Sequence, residues 1–189
     1  RKLVSQPKPT MPTLEKRMTE RVVRDPDIVT VRENKMAPLT FNSEVLEFTH
    51  INSAGAGGKG TFETPYGTLT EASGAPTKFV LVHADSAFNN EALNLSANQR
   101  LLGDSAGAHH LIETDQLGTV LLPRFSTGSS APVIQNASGY AIGTAENTEI
   151  ANLTIQPSGV GLLVNDLTGQ IDVRNVDYFG NTYGIQINN

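Results

Sequence analysis

Apolar residues recur through the last third of the chain at a nearly fixed interval. Set in rows, residues 138–157 read SGYAIGTAENTEIANLTIQP, residues 158–180 SGVGLLVNDLTGQIDVRNVDYFG and residues 181–189 NTYGIQINN. Ile142, Leu162 and Ile185 take one place in the rows, Ile150 and Ile171 a second, and Ile155 and Val176 a third. A loose repeat of roughly 20 to 23 residues, with short β-rich runs between Gly, Asn, Asp and Ser, predicts a solenoid. The runs upstream fit the same reading. Phe79–His83 is a nearly continuous apolar run, as in a strand buried on both faces. Ala92–Leu95, Gln99–Asp104, His110–Glu113, Gly118–Leu122 and Pro132–Ile134 continue the series. From 78 to 189 there is room for about five coils of about 21 residues.

Ahead of the coils the pattern changes. Thr64–Ala72 predicts a short helix, with Thr64 as N-cap, Pro65 as first residue, and Tyr66, Leu69 and Ala72 on one side. So short a helix needs a surface to sit on. The segment 61–75 is therefore expected to cap the coils. Phe41–Ile51 reads as a strand and Ser53–Gly60 as a flexible loop. That loop departs from phosphate-binding spacing, because Gly60, not Ser or Thr, follows Lys59. Residues 1–40 read as an extended arm or linker, with Pro7 and Pro9 favouring polyproline geometry. Within the arm, Leu14, Met18 and Val22 fit either a short helix ending before Pro26 or a solvated charged linker. The domain proper is expected over 41–189.

Composition narrows the function classes. The chain has 189 residues, with 17 Gly, 10 Pro and few aromatics, which suits an all-β protein rich in turns. A net charge of −5 argues against a nucleic-acid surface. No cysteine is present, so disulfides, thiolate metal sites and a Cys nucleophile are excluded. No apolar run approaches the ~20 residues of a membrane helix. The start at Arg1 and the end within the pattern suggest a piece of a longer protein or a processed one.

Certain residues resemble a known family. Gly60-Thr61, Pro65-Tyr66, Leu69 and Ala72, then Phe79–His83, then Leu101–Gly103, are similar to the entry of a right-handed parallel β-helix of the pectate-lyase-like superfamily. Asn98–Asp104, His110–Thr114, Leu117–Pro123 and Asn147–Ile155 resemble segments of large planctomycete-type surface proteins. Arg21–Val29 is similar to the closing segment of inverse-autotransporter barrels, with Asp25-Pro26 in place of the usual Asn-Asn. The resemblance implies a right-handed parallel β-helix with a capping helix. It also implies a secreted or bacterial cell-surface setting, associated with the outer membrane, and a structural or adhesive role. The partners it implies are other chains of a surface assembly, or glycans. A calcium-dependent polysaccharide lyase, a glycoside hydrolase and a glycan-binding module are the alternatives.

No catalytic residue, metal ligand or cofactor is assigned. Asp166, Asp172 and Asp177 lie close in sequence, but alternating polar residues belong on a solvated strand face, and Arg174 shares the parity of Asp172. His109 and His110, adjacent on a strand, point to opposite faces. His83 reads as a turn or core histidine. Ser105, Ser126 and Ser158 lack a nucleophile-elbow pattern. Asn136, Asn147, Asn165, Asn175 and Asn188 read as turn residues bonded along the stack. Tyr178, Phe179 and Tyr183, with Asp172 and Arg174, are the weak binding candidates. Thr64, Pro65, Tyr66, Leu69, Ile142, Ile150, Ile155, Leu162, Ile171, Val176 and Ile185 are the expected structural residues.

Overall fold

A computed structural model describes residues 37–55, 57–135, 137–156, 159–165 and 169–188. Residues 1–36 of the arm expected over 1–40, and Asp166, Ser158 and Asn136, lie outside the described residues. In chain order the elements are β1 (Thr40–Phe41), β2 (Glu44–Val45), β3 (Phe48–Ile51), α1 (Leu69–Ala72), β4 (Phe79–Val82), β5 (Ala87–Asn89), β6 (Leu93–Asn94) and β7 (Arg100–Gly103). They continue with β8 (His110–Thr114), β9 (Gly118–Leu122), β10 (Val133–Gln135), β11 (Tyr140–Thr144), β12 (Thr148–Ile155), β13 (Val160–Asn165), β14 (Ile171–Tyr178) and β15 (Tyr183–Asn188).

The strands divide among four separate sheets, and this overturns the expected right-handed parallel β-helix of about five coils. One parallel sheet holds seven strands in the order β3-β4-β7-β12-β10-β5, with β14 on β12. A second parallel sheet has the order β15-β13-β11-β6. The pairs β1–β2 and β8–β9 are antiparallel. None of the four closes into a coil. The sequence repeat fails to predict the pairing because residues 104–132 leave it. His110–Leu122, expected as two further rungs, folds back on itself as a hairpin, with Leu111 opposite Leu121. Arg100 then pairs with Glu149, far beyond one repeat.

Within the parallel sheets the register is set by apolar columns. Leu93, Ile142, Leu162 and Ile185 stand beside one another on four strands. Leu101, Ile150 and Val173 form a second column. Expected alignments of Ile150 with Ile171 and of Ile155 with Val176 are corrected by two residues. Ile171 pairs with Thr148, Val176 with Leu153, and Ile155 with Tyr178. These columns meet in one core in which Leu93, Leu101, Ile142, Ile150, Ile155 and Leu162 are fully buried.

Strand β12 joins the parts of the large sheet. Its first half pairs with β7, its second half with β10, and its other side with β14. Between the halves, Asn152 takes a left-handed conformation (φ 59°), and Asn175 does the same in β14 (φ 50°). Asn tolerates this region better than most residues because its amide bonds locally. Asn152 Nδ2 donates to the Gly103 carbonyl (2.9 Å), and Asn175 Nδ2 donates to Asn152 Oδ1 (2.6 Å). Gly103 lies so close to the Asn152 carbonyl that a Cβ has no room there. Asn147 similarly donates to Asn98 (3.3 Å), and Asn188 to Asn165 (3.0 Å).

The helix begins later than expected. Thr68, not Thr64, is the N-cap: its hydroxyl accepts from Glu71 N–H, and the Glu71 carboxylate accepts from Thr68 N–H in return. Thr64 instead bonds to Thr61, and Tyr66 bridges to Ile51. Pro65 precedes that bridge outside the helix. Leu69 is fully buried in the core, as Tyr66 partly is.

The columns have a buried interior and an exposed last member: Leu162 is 0% and Ile185 49% exposed. Leu162→Ala is expected to cost roughly 2–5 kcal/mol and Ile185→Ala less than about 1 kcal/mol. Urea unfolding checks this, and equal losses would contradict an open final strand.

Candidate functional site

Three polar or exposed groups are positioned by this framework. The first is a charged row on the face of the large sheet opposite the main core. Phe79, Arg100, Glu149 and Asp172 are neighbours on β4, β7, β12 and β14. Glu149 is 9% exposed, and its carboxylate accepts from both Arg100 and Arg174. Arg174 Nε also reaches Asp172 at 3.2 Å, and Arg100 donates to the Leu111 carbonyl at 2.8 Å. Arg100 lies over the Phe79 ring, 5.2 Å from its centroid. So Asp172 and Arg174, candidates from the sequence, do come together, but with each other and with Glu149. The Glu149 carboxylate, with one oxygen on each guanidinium, is committed to ion pairs.

The second group is a cleft of about 720 Å³ at the ends of β3 and β4. His83 lines it and faces His50 of β3, with His50 Nδ1 3.2 Å from His83 Nε2. Asn52 settles the tautomer. Its Oδ1 accepts from Ala54 N–H (3.0 Å), which turns Nδ2 toward His83 Nδ1 (3.4 Å). His83 Nδ1 therefore accepts, and its Nε2–H donates to His50. Phe62 and Phe125 meet the His50 ring edge-on, with centroids 5.4 and 5.8 Å away. Burial depresses the pKa of His50 to about 4, helped by the His83 charge and opposed by Glu63. Burial likewise lowers His83, against the opposing charge of Asp104. Asp104, 1% exposed, accepts from Ser126 N–H (2.8 Å), Ser126 Oγ (2.5 Å) and Arg124 Nε (3.2 Å). Ser126 Oγ also accepts from Ala84 N–H (3.0 Å), so its hydroxyl is committed to structure.

The third group is the outer edge formed by β14 and β15. No described strand pairs with the far side of either. Phe179, Tyr183, Ile185 and Ile187 are each about half exposed along this edge. Tyr178 differs from its neighbours. Its ring packs against the main core, and a Cβ on Gly161 would come within 2.8 Å of it. Burial raises the phenol's pKa to about 12, and the buried hydroxyl has no hydrogen-bond partner among the described residues. Tyr178 is thus a packing residue, whereas Phe179 and Tyr183 offer open aromatic surface.

All five weak candidates from the sequence therefore lie on or beside the last strands of the two parallel sheets. His50, Phe62 and Phe125 were missed, since they are far apart in sequence and follow no motif. Ile187 was missed too, although its alternation with Ile185 signalled one apolar face. Among the described residues, no group of three His, Asp or Glu side chains is placed to hold a metal ion. No helix among them is long and apolar enough to cross a membrane. No protein-family model matches the chain, and no curated protein or solved structure matches it either.

The histidine pair makes a pH dependence. Both pKa values are lower in the fold than in the unfolded chain, so protons bind the unfolded chain better. The stability from the neutral pair is complete above about pH 6.5 and is lost as pH falls toward about 4. The melting temperature should fall through this window, and less steeply in a His50→Gln/His83→Gln variant. An equally steep fall in both proteins would contradict the assignment.

Proposed function

We propose that this domain is a non-catalytic structural or adhesive module, joining neighbouring polypeptide chains through the edge formed by β14 and β15. The observation that carries this reading is the coincidence of two unpaired parallel strands with an exposed apolar row. Unpaired N–H and C=O groups on a strand edge are a template for another strand, and proteins usually blunt them. Here one side is blunted. Segment 60–66 bonds to β3, with His50 N–H on the Gly60 carbonyl (2.8 Å) and Tyr66 N–H on the His50 carbonyl (2.9 Å). At β6, Asn94 N–H is bonded by Ser73 Oγ (3.1 Å) next to α1. Nothing comparable covers β14 and β15 among the described residues.

The same reading extends to a bacterial cell-surface setting, supported by the similarity of Asn98–Asp104, His110–Thr114, Leu117–Pro123 and Asn147–Ile155 to segments of such proteins. A second reading, glycan binding, is favoured by the exposed rings of Phe179 and Tyr183, which suit stacking on sugars. A polysaccharide lyase or hydrolase gains no support, because Asp172 and Glu149 are engaged by arginines.

A photo-crosslinking residue at Ile187 of the full chain, in its own cells, tests the proposal. Protein adducts are expected at Ile187 and not at Leu117 of the β8–β9 hairpin, which is more exposed. Absence of adducts at Ile187, or equal yields at both positions, would contradict it.

A further inference from the structure

We infer that the cleft at the ends of β3 and β4 is a binding site for one uncharged pyranose residue of a glycan. The site is separate from the β14–β15 edge and does not depend on the joining role. Three observations select this ligand. The first is size. The cleft holds about 720 Å³, within the roughly 300–1,000 Å³ of small-ligand sites.

The second is an aromatic wall. Phe62, His83 and Phe125 all line the cleft, with ring centroids 6.2 Å apart for Phe62 and His83 and 5.6 Å apart for His83 and Phe125. Phe62 is held in place, because it meets His50 edge-on and its segment is bonded to β3 through the Gly60 carbonyl. Even so, Phe62 is 56% exposed. A fixed, half-exposed ring suits the C–H face of a pyranose.

The third is the mixture of acceptors and donors on the rest of the lining. Asp85 holds a left-handed conformation (φ 59°), and the Ser130 and Ser129 N–H groups each donate to one of its carboxylate oxygens (2.8 and 3.2 Å). These bonds hold its carboxyl below the usual range, so it is charged at neutral pH. A carboxylate has about four acceptor sites, and the two amides and the Ser130 hydroxyl leave one for a ligand hydroxyl. Arg124 donates through Nε to Asp104 and through Nη2 to the Gly128 carbonyl, which leaves Nη1. Asn52 Nδ2 directs one hydrogen to His83 and keeps the other. A sugar hydroxyl both donates and accepts, so neighbouring hydroxyls match a lining of this kind. An anion would meet the charge of Asp85, and a cation that of Arg124.

Saturation-transfer NMR of the full chain with glucose, galactose and mannose trimers tests this, with circular dichroism as a check on folding. At least one trimer is expected to bind. Phe62→Ala should weaken that binding roughly tenfold, whereas Phe62→Trp, which keeps a ring, should preserve it. Leu117→Ala, on the β8–β9 hairpin, should leave it unchanged. A galacturonate trimer and choline should bind more weakly than the neutral sugar. Absence of binding by all three neutral trimers would overturn the inference, as would a galacturonate trimer or choline that binds as well. Binding that survives Phe62→Ala and is lost in a folded Phe179→Ala chain would place the sugar at the outer edge and overturn it too.

Discussion

The architecture depends on one strand that bends at a left-handed asparagine. Asn152 lets β12 serve two neighbours in succession, β7 with its first half and β10 with its second. A straight strand of eight residues would continue past the end of four-residue β7 with nothing beside it. The bend is held from both sides, by the Gly103 carbonyl and by the Asn175 amide. It is copied into β14, so the two strands stay paired through it. The requirement reaches back to β7, where residue 103 lies too near the Asn152 carbonyl to carry a Cβ. Left-handed geometry, amide bonding and a missing side chain thus act together at one corner, and the main core packs beneath it.

From that corner the two faces of the large sheet diverge in chemistry. One face contributes Leu101, Ile150, Leu153 and Ile155 to the main core. The other begins as a smaller core of Phe79, Leu81, Leu102, Ile112 and Ala151 under the β8–β9 hairpin. It then becomes polar at both margins. At one margin, buried Glu149 is neutralised by two arginines; at the other, buried Asp104 is satisfied by Ser126 and Arg124. Burying a carboxylate is costly unless it is paired and hydrogen-bonded, and both are. Their pairing commits both carboxylates to structure. That is why the exposed edge, and not a polar cluster, carries the functional reading.

Much of the strand content was legible in the sequence, but the architecture was not. The column Ile142, Leu162 and Ile185 follows from spacing alone, because each residue is the central apolar position of a run between turn residues. The second and third columns slipped by two residues. A constant repeat of about 21 does not hold where paired strands lie 23 positions apart, as Thr148 and Ile171 do. The solenoid failed at residues 104–132, where the apolar runs persist but turn back as a hairpin. Strand runs look alike whether their neighbour is parallel or antiparallel, so periodicity is silent on that choice. The role of Asn152 depends on a carbonyl at Gly103, far away in sequence. The histidine pair was illegible for the same reason. His83 read as a turn or core histidine, and only the fold sets His50 beside it.

The account turns on whether the outer side of β14 is an unfilled backbone edge, open to another strand. Hydrogen exchange resolved along 171–178, in dilute protein, measures this directly. The account predicts that the outward amides of β14 exchange rapidly, while β3, already covered by 60–66, is protected. Outward amides of β14 that are protected in dilute protein would contradict it.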